Sequence, residues 1–531
     1  MEAAQKKMSP SKYDLILKQS KELKSIQETD DPPHVVATIP TLGLKDIDSN
    51  GVEYPIEIAE NSFNSSVTVI KNLVESSHGV AYIDFGIDVS QIEYDDMELL
   101  PLITYIMTEA DLANNMTRVD FDRQIGKYTG GIYADILVLS VLSDIQKDVT
   151  ISDNTVMRSL LFLRGKCTVQ NVGKMLDLFS SMTMNSSMNQ QDKVKTILES
   201  KISKLLSRIA ANGHSYSVKR MHSRYNVNAQ LNEKLYGVSQ LQTLRDLVEK
   251  ANNDWDSLRE RLEKVMQIIV QSVGAGTVIN LTGESKTFEV VEESLENFIA
   301  SFPNGSIIKK FTDPRTEEHP WALAGREEMP EVLDEGIAVA SQVSYVGEMG
   351  VLYEHGERAS GSSLVPLQYL KKGYLWETVR EQNGAYGVMS DLDRSDGTMY
   401  MVSYRDPTLS DTLDAFNDAA DNLIKDYDGG EIDKDTITKS VIGTIGSIDG
   451  TALPPDMSGW KSMLRWMSGV SAASRQKVRQ EIINAQGSDF LDFATRLKGW
   501  KSTSIAVVGS EANFDHAKEH ENVELEVVVA Y

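Results

Sequence analysis

Apolar side chains recur at helical spacing near the start of the chain, in residues 9–27. They are Tyr13, Ile16, Leu23 and Ile26. Ser9 is a candidate N-cap with Pro10 at the first helical position, and Pro32-Pro33 follows the acidic run that ends the pattern. We therefore predict that residues 1–33 form a helical linker that leads into a domain.

Strand and helix patterns come in blocks along the rest of the chain. Residues 79–85 and 398–404 have the aromatic and β-branched composition of strands. Residues 191–211 and 227–271 show the apolar period of long amphipathic helices, and the segment Leu161–Val169 is also predicted to be helical. Blocks of this kind predict the α+β class, with mostly antiparallel sheets and helices packed on one face.

The sequence contains an approximate internal repeat. In each copy an apolar helix opens with a proline, at Leu99–Leu102 and again at Leu364–Leu367. A glycine-containing segment follows each of these helices, at Tyr128–Tyr133 and at Gln382–Gly387. The order of the two features is the same in both copies, as expected for a duplicated structural unit.

The two copies also end alike, each with a strand followed by a helix, at residues 277–302 and at residues 504–521. This self-similarity predicts two homologous α+β domains, residues 34–305 and residues 306–531.

Composition and charge restrict the class of protein. The 531 residues are 41% hydrophobic and 25% charged, which fits a soluble chain of several domains. No uncharged apolar run approaches the ~18 residues that a membrane span requires. The net charge of −25 disfavours binding to nucleic acid, because that binding depends on Lys and Arg neutralising phosphates. We predict neither a membrane nor a nucleic-acid partner.

Cys167 is the only cysteine in the sequence. A disulfide framework and a cysteine-based zinc site are therefore excluded, and a reducing compartment is expected. We predict that Cys167 is a buried, inert thiol and not a nucleophile. Residues 1–8 are charged and show no targeting signal.

Three common catalytic motifs are missing or incomplete in the sequence. No Gly-x-Ser-x-Gly nucleophile elbow occurs. Gly165-Lys166 is followed by Cys167, where a phosphate-binding loop needs Ser or Thr. Gly274 and Gly276 precede a predicted strand and do not open a helix, so they do not form a dinucleotide-binding turn.

The segment His516-Ala517-Lys518-Glu519-His520 matches the H-x-x-E-H signature of zinc peptidases. On a helix, His516 and His520 would share one face, and Glu519 could act on a zinc-bound water. A hydrolytic zinc needs a third protein ligand, and the glutamates that follow His520 lie too near in sequence to supply it comfortably. We predict a solvated helix and keep a self-sufficient zinc hydrolase as an alternative.

A second group of residues lies at a predicted helix-to-strand corner. Residues 374–387 predict a helix that ends at Asn383-Gly384, with Arg380 in its last turn and Tyr386 just beyond it. Both side chains could donate to an oxyanion or to a peptide carbonyl. Composition alone favours a structural interpretation, with Arg380 complementing the helix dipole and Tyr386 in the core.

At this corner the sequence resembles a known family. The segment Leu375–Gly387 is similar to the C-terminal domain of pitrilysin-type zinc metallopeptidases. Ser403–Pro407 and Val441–Asp449 narrow the resemblance to the presequence-protease and falcilysin branch. In the first repeat, Thr129–Gly131 and Gly213–Tyr216 resemble the domain associated with the catalytic half of that branch. The likeness covers almost the whole chain.

The resemblance implies one half of a clamshell chamber. Enzymes of this family consist of two bowl-shaped halves, each with two homologous domains, joined by a helical hairpin around a closed chamber. Residues 1–33 would then contain the second helix of the hairpin, and residues 34–305 and 306–531 would be the third and fourth domains. Zinc is expected on the missing N-terminal half and not on this chain. The expected partners are that half and unfolded peptides.

For the site, the resemblance implies that Arg380 and Tyr386 reach across the chamber to the substrate backbone and the tetrahedral intermediate. This replaces the structural interpretation of both residues. Arg405 is expected to form an ion pair with Asp406 or another carboxylate, and His214 is expected to be structural. The histidine motif near the C-terminus does not match the position of the zinc motif of the family.

The leading hypothesis is the C-terminal half of a zinc metalloendopeptidase that degrades cleaved targeting presequences and other short unfolded peptides. By the same resemblance, the mitochondrial matrix or the chloroplast stroma is the expected location, and this chain alone is expected to be inactive. A non-catalytic peptide-binding or assembly subunit of the same family is the alternative.

Overall fold

The computed structural model describes residues 10–29, 31–63, 65–114, 116–141, 156–303, 319–521 and 523–530. The chain divides into two compact units, Met1–Asp48 and Ser49–Tyr531. The first unit contains the helix Pro10–Glu28, which confirms the predicted opening helix, and the short helix Pro33–Val36. The predicted N-cap, Ser9, and the predicted boundary at 305/306 lie outside the described residues.

The second unit contains two six-stranded mixed sheets. The strands of the first sheet are β1 (Ile56–Ser62), β2 (Ser66–Leu73), β3 (Val80–Asp88), β4 (Ile132–Ser140), β5 (Met157–Thr168) and β6 (Ala275–Gly283). Their order is β1-β2-β6-β3-β5-β4, and every neighbouring pair is antiparallel except β2 and β6.

The second sheet follows the same plan with one more parallel pair. Its strands are β7 (Glu335–Ala338), β8 (Tyr345–Val351), β9 (Gly387–Leu392), β10 (Thr398–Tyr404), β11 (Lys501–Gly509) and β12 (Glu526–Val529). Their order is β12-β7-β11-β8-β10-β9, with parallel pairing only of β7 with β11 and with β12. The predicted α+β class with mostly antiparallel sheets is confirmed.

Helices connect the strands within each sheet. Between β3 and β7 they are Tyr94–Met97, Leu100–Glu109, Arg118–Tyr128, Val172–Met184, Gln191–Ala211, Gly213–His222, Val227–Tyr236, Ser239–Asn253, Trp255–Ser272, Ser285–Ala300 and Pro320–Glu327. After β8 they are Leu364–Lys372, Ser410–Asn417, Ala419–Gly429, Lys434–Asp449, Pro455–Met467, Ala472–Ile483, Gly487–Lys498 and Glu511–His520, together with a π-helix at Trp376–Gln382. Among the described residues, no helix combines the length and the apolarity needed to cross a membrane.

Several predicted elements are confirmed closely. The helix predicted at 191–211 and the strand predicted at 398–404 have the same bounds in the structure. Each copy of the repeat ends as expected, with β6 followed by the helix Ser285–Ala300 and β11 followed by the helix Glu511–His520. Gly165 and Lys166, from the rejected phosphate-loop motif, lie inside strand β5.

The prediction of a helix at Leu161–Val169 is wrong, because Leu161–Thr168 belongs to strand β5. The strand lies between β3 and β4 and is buried on both faces over Met157–Leu163. A strand covered on both sides carries a continuous apolar run, which periodicity alone does not distinguish from a buried helix. Cys167 is buried as expected, and burial raises the pKa of its thiol to about 12, so the thiolate does not form near neutral pH.

The single long helix predicted for residues 227–271 is also wrong. The structure has three consecutive helices, which break at Gly237-Val238 and at Asp254. Gly237 closes against the preceding turn so tightly that a methyl group there would overlap the Glu233 carbonyl. Asp254 has an extended φ of −148° and follows two asparagines, which are residues that favour turns over helix interiors.

Helices from each half of the sequence pack on both sheets. On one face of the first sheet, Phe85 of β3 packs against Phe179 and Phe298, with ring centroids 6.4 and 4.8 Å away. The other face receives the helix Pro455–Met467, whose Trp460 packs edge-on against Phe162 of β5 at 4.9 Å. A helix from the second half of the sequence therefore covers one face of the first sheet.

The helix Gly213–His222, here called the bridging helix, makes the reciprocal contact with the second sheet. The hydroxyl of Ser217 donates to the Ala506 carbonyl at 2.5 Å, and the bridging helix lies so close to β8 that a methyl group on Gly347 would overlap Ser217. The Tyr345 hydroxyl of β8 donates to the Ala210 carbonyl at 2.9 Å. The two sheets are thus fastened together by polar as well as apolar contacts.

His222, at the end of the bridging helix, forms an ion pair with Asp396 in the β9–β10 turn at 2.6 Å. Burial disfavours the imidazolium, but the hydrogen bond and the charge of Asp396, with a further contribution from Asp393, raise the pKa of His222 above 6.5. Burial likewise disfavours the carboxylate, but the hydrogen bonds from His222 and Thr398 lower the pKa of Asp396 below 3.8.

These pKa shifts predict a pH-dependent contribution to stability. A raised histidine pKa gives stabilisation that is complete below pH 6.5 and lost as the pH rises through the folded-state value. We expect the free energy of unfolding of the wild type to fall with rising pH above 6.5 relative to that of His222→Gln, measured by urea unfolding across a pH series. Parallel pH profiles for wild type and His222→Gln would contradict the assignment.

Candidate active site

The predicted corner between Tyr374 and Gly387 is built on a π-helix. Residues Trp376–Gln382 are wound with wide turns, and the Asn383 amide donates to the Thr378 carbonyl at 2.9 Å. Gly384 follows with a φ of +85°, the left-handed turn expected from the sequence. Strand β9 then begins at Gly387. A π-helical turn of this kind is frequent at functional sites.

Tyr386 stands on the strand side of this corner with an anchored backbone and an exposed ring. Its amide donates to the Tyr404 carbonyl of β10 at 3.0 Å, and its ring packs edge-on against the Tyr404 ring at 5.8 Å. The residue is nevertheless 67% exposed, and its hydroxyl has no hydrogen-bond partner among the described residues. The core position considered from composition is therefore wrong for Tyr386.

Arg380 lies on the helix side and faces the same space. Its guanidinium carbon is 4.0 Å from the centroid of the Trp376 ring and 5.9 Å from that of Tyr386. No described carboxylate forms an ion pair with Arg380. Stacking restrains the planar face of the guanidinium and leaves its N–H edges able to donate. Arg380 and Tyr386 thus form a pair of neighbouring donors on a rigid corner.

Two aromatic residues of this site were not predicted from the sequence. Trp376 supports Arg380, and Tyr404 supports Tyr386. Trp376 precedes Arg380 by four residues, a spacing that places side chains on one helical face and could have drawn attention to it. Tyr404 reaches the site only through the pairing of β9 with β10, which no local pattern reveals.

Arg405 and His214 extend the aromatic cluster. Arg405 adopts a left-handed φ of +52°, which is uncommon for a residue with a side chain, and its guanidinium lies over the Tyr404 ring at 5.4 Å. Asp406 accepts hydrogen bonds from the Thr408 amide at 3.0 Å and the Thr412 hydroxyl at 2.8 Å. The ion pair expected for Arg405 is therefore not found among the described residues.

His214 lies in the first turn of the bridging helix, as expected for a structural residue. Its ring meets the Tyr404 ring edge-on at 4.9 Å, and burial lowers the pKa of the imidazole. The ring is therefore neutral near pH 7, and its role in the described structure is packing behind the exposed tyrosine.

The histidine motif near the C-terminus lies on the exposed helix Glu511–His520. The rings of His516 and His520 stack at 4.6 Å, and His516 Nδ1 is 3.4 Å from a carboxylate oxygen of Glu521. Among the described residues, three potential metal ligands lie close together only at His222, Asp393 and Asp396. This group is far in sequence from the histidine motif. His516 and His520 therefore do not fit the three-ligand site of a hydrolytic zinc.

Models of known protein families match two parts of the chain. The family model for the PreP C-terminal domain matches residues 334–511. The model for the domain associated with subfamily C of the M16 peptidases matches residues 1–247. The chain belongs to the pitrilysin-type, or M16, family of metallopeptidases. Within that family these two domains define the C-terminal half of the presequence-protease and falcilysin branch.

Curated relatives agree with this assignment. The chain is 29% identical to presequence protease 1, chloroplastic/mitochondrial, of Arabidopsis thaliana, covering 94% of this chain and 43% of the relative. It is 23% identical to the mitochondrial presequence protease of Saccharomyces cerevisiae, covering 86% of this chain and 43% of the relative. The chain therefore spans about half the length of the curated relatives that it matches.

Solved structures show the same fold at low identity. The peptidase M16 inactive domain from Pseudomonas fluorescens superposes with a TM-score of 0.53 at 12% identity, covering 89% of this chain and all of that one. A protease from Helicobacter pylori superposes with a TM-score of 0.53 at 12% identity, covering 86% of this chain and all of that one.

Proposed function

We propose that this chain is the C-terminal half of a zinc metalloendopeptidase that degrades cleaved targeting presequences and other short unfolded peptides. The single observation that carries the proposal is the pairing of a half-buried Arg380 with an exposed Tyr386 on one rigid corner. Family membership and the names of the curated relatives support the substrate class. The domain division at residues 34–305 and 306–531, with residues 1–33 as hairpin helix, is part of the same proposal.

In the complete enzyme, the missing N-terminal half would hold zinc, which supplies the activated water. This chain would close the chamber from the other side. The Arg380 guanidinium and the Tyr386 hydroxyl would donate to the peptide carbonyl oxygen and hold the negative charge that develops there. Because Trp376 and Tyr404 already restrain the two side chains, little rotamer freedom remains to be lost when they bind.

The proposal also covers the partner of this chain, its subcellular location and its activity in isolation. The N-terminal half, encoded in the same gene or in a separate chain, is the partner that completes the active site. The mitochondrial matrix or the chloroplast stroma is the proposed location, by analogy with the compartments in the relatives' names. The chain alone is proposed to be inactive, since His516 and His520 lack a third ligand among the described residues.

A complementation experiment tests the proposal. The purified chain would be assayed for zinc content and for cleavage of a fluorogenic presequence peptide, alone and mixed with the N-terminal half of a presequence protease. We expect cleavage only in the mixture. Zinc together with cleavage in the chain alone would favour the His516–His520 alternative. Peptide binding by the chain with no cleavage in the mixture would favour a non-catalytic binding subunit.

A further inference from the structure

A pocket between an early segment of the chain and helices of its second half is lined by an unusual concentration of positive charge. It has a volume of about 150 Å³ and lies between the segment Gly51–Tyr54 and the helices Lys434–Asp449, Pro455–Met467 and Ala472–Ile483. A second cavity of about 370 Å³ lies beside it and shares Arg465 and Arg475 in its lining.

Five cationic side chains line this pocket against two carboxylates. The cations are Arg394, Lys461, Arg465, Arg475 and Arg479, and the carboxylates are Glu53 and Asp449. The excess of three positive charges contrasts with the net charge of −25 of the whole chain. A local field opposite in sign to that of the molecule marks the pocket as a place where anions concentrate.

Three of the five cations contact a carboxylate or a backbone carbonyl, and a fourth, Arg465, lies over the Tyr54 ring with its guanidinium carbon 5.9 Å from the centroid. Arg475 forms an ion pair with Glu53 and donates to the Val470 carbonyl at 2.9 Å. Arg479 forms an ion pair with Asp449 at 2.7 Å. Arg394 Nε donates to the Ala359 carbonyl at 2.9 Å. These contacts engage both carboxylates of the pocket in ion pairs with Arg475 and Arg479.

Lys461 and Arg465 are the two cations of the pocket whose side chains contact no described carboxylate or backbone carbonyl. They lie four residues apart on one face of the helix Pro455–Met467, and neither forms an ion pair with a described carboxylate. Like charges at this spacing repel each other. Burial first, and then the charges of Arg465 and Arg475, lower the pKa of Lys461; burial and then the charge of Arg475 lower the pKa of Arg465. Burial and the neighbouring positive charges thus outweigh the attraction of Asp449 for Lys461 and of Glu53 for Arg465, and the protonated forms of both side chains are disfavoured.

We infer that this pocket binds a small phosphate monoester, with Lys461, Arg465 and Arg475 around the phosphate oxygens. Arginine and lysine are the side chains that hold doubly charged oxyanions, and a bound dianion would relieve the repulsion between Lys461 and Arg465. An apolar wall beside the cations suits the organic part of an ester; it consists of Val52, Tyr54, Ile448 and Val478. The inference is independent of the peptidase proposal, since it requires neither zinc nor peptide.

The test measures binding of inorganic phosphate and of phenyl phosphate to the full chain by titration calorimetry, with succinate as a dicarboxylate probe. We expect saturable binding, tighter for phenyl phosphate than for phosphate or succinate. Succinate binding tighter than either phosphate compound would overturn the assignment to phosphate esters. No saturable binding of any of the three would overturn the site itself.

Matched variants locate the binding. Lys461→Gln/Arg465→Gln should weaken binding of phenyl phosphate about tenfold or more, because two charge-assisted donors are removed. The thermal unfolding midpoint of this double variant without ligand should equal or exceed that of the wild type, because the repulsion between Lys461 and Arg465 is removed. Lys439→Gln/Lys498→Gln removes the same charge from exposed pairs and should keep wild-type affinity. Equal weakening in both double variants would show a general charge effect and overturn the proposal. Lys461→Gln alone provides the same comparison if the double variant is not folded.

Discussion

Replacing Tyr386 by Phe in the assembled peptidase should lower kcat about a hundred- to a thousandfold, the usual effect of removing one donor to a developing oxyanion. Arg380→Ala should have an effect of the same order. The measurement is cleavage of a fluorogenic presequence peptide by the chain combined with a catalytic N-terminal half. Because the two donors face one space and the Arg380 guanidinium carbon is 5.9 Å from the Tyr386 ring centroid, the double variant should lose less than the product of the single effects.

Stability measurements separate this effect from a folding defect. The Tyr386 hydroxyl has no partner among the described residues, so Tyr386→Phe should change the free energy of unfolding by less than about 0.5 kcal/mol. Tyr427→Phe, on the helix Ala419–Gly429, is a matched control that should retain full kcat. Activity of Tyr386→Phe within a factor of about three of wild type would remove the catalytic role. The aromatic residues around it, Trp376 and Tyr404, would then have a structural role.

The site was predictable from the sequence only in part. Arg380 and Tyr386 could be recognised as donors because a glycine stop places them at the end of a helix, and the positive φ of Gly384 confirms that turn. The support that makes them rigid could not be predicted in the same way. Tyr404 is eighteen residues beyond Tyr386 and reaches it only through the antiparallel pairing of β9 with β10. Local periodicity contains no information on such pairing.

The fold was predicted best where one face of an element is buried and the other is not. The helix Gln191–Ala211 alternates between buried and exposed positions with the period of a helix, and its bounds were predicted correctly. Strand β5 lacks any alternation, because Leu161 and Leu163 face the helices of their own sheet while Phe162 meets Trp460 from a distant helix. The helix prediction at Leu161–Val169 thus failed because this strand is buried between two layers.

The bridging helix carries a second feature that the sequence does not reveal. Arg224, just beyond its end, and Arg220 within it both bind Glu335 of β7, at 2.6 and 2.7 Å. The side chains of Arg224 and Glu335 are only 2% and 4% exposed. Hydrogen bonding to Glu335 raises the pKa of Arg220, whereas burial lowers the pKa of Arg224, but both guanidiniums stay charged at neutral pH.

Glu335→Gln should therefore destabilise the protein by about 3–5 kcal/mol, the usual effect of removing one partner from a buried ion pair. The reason is that Arg224 would keep its charge in the interior with no other described carboxylate in contact. Arg220 would still have Glu233 at 3.6 Å, so most of the loss should come from Arg224. Urea unfolding of wild type and variant at pH 7 measures the difference.

The matched control is Asp421→Asn, which breaks the exposed pair with Lys498. Both side chains of that pair are more than half exposed, so the change should cost less than about 1 kcal/mol. A loss in Glu335→Gln as small as that in Asp421→Asn would mean that water reaches Arg224 and replaces the carboxylate. A large loss in Glu335→Gln alone would instead show that this buried group of charges fastens the bridging helix to the second sheet. The position of the Arg380–Tyr386 corner would then depend on it, because Tyr404, which supports Tyr386, packs against His214 in the first turn of the same helix.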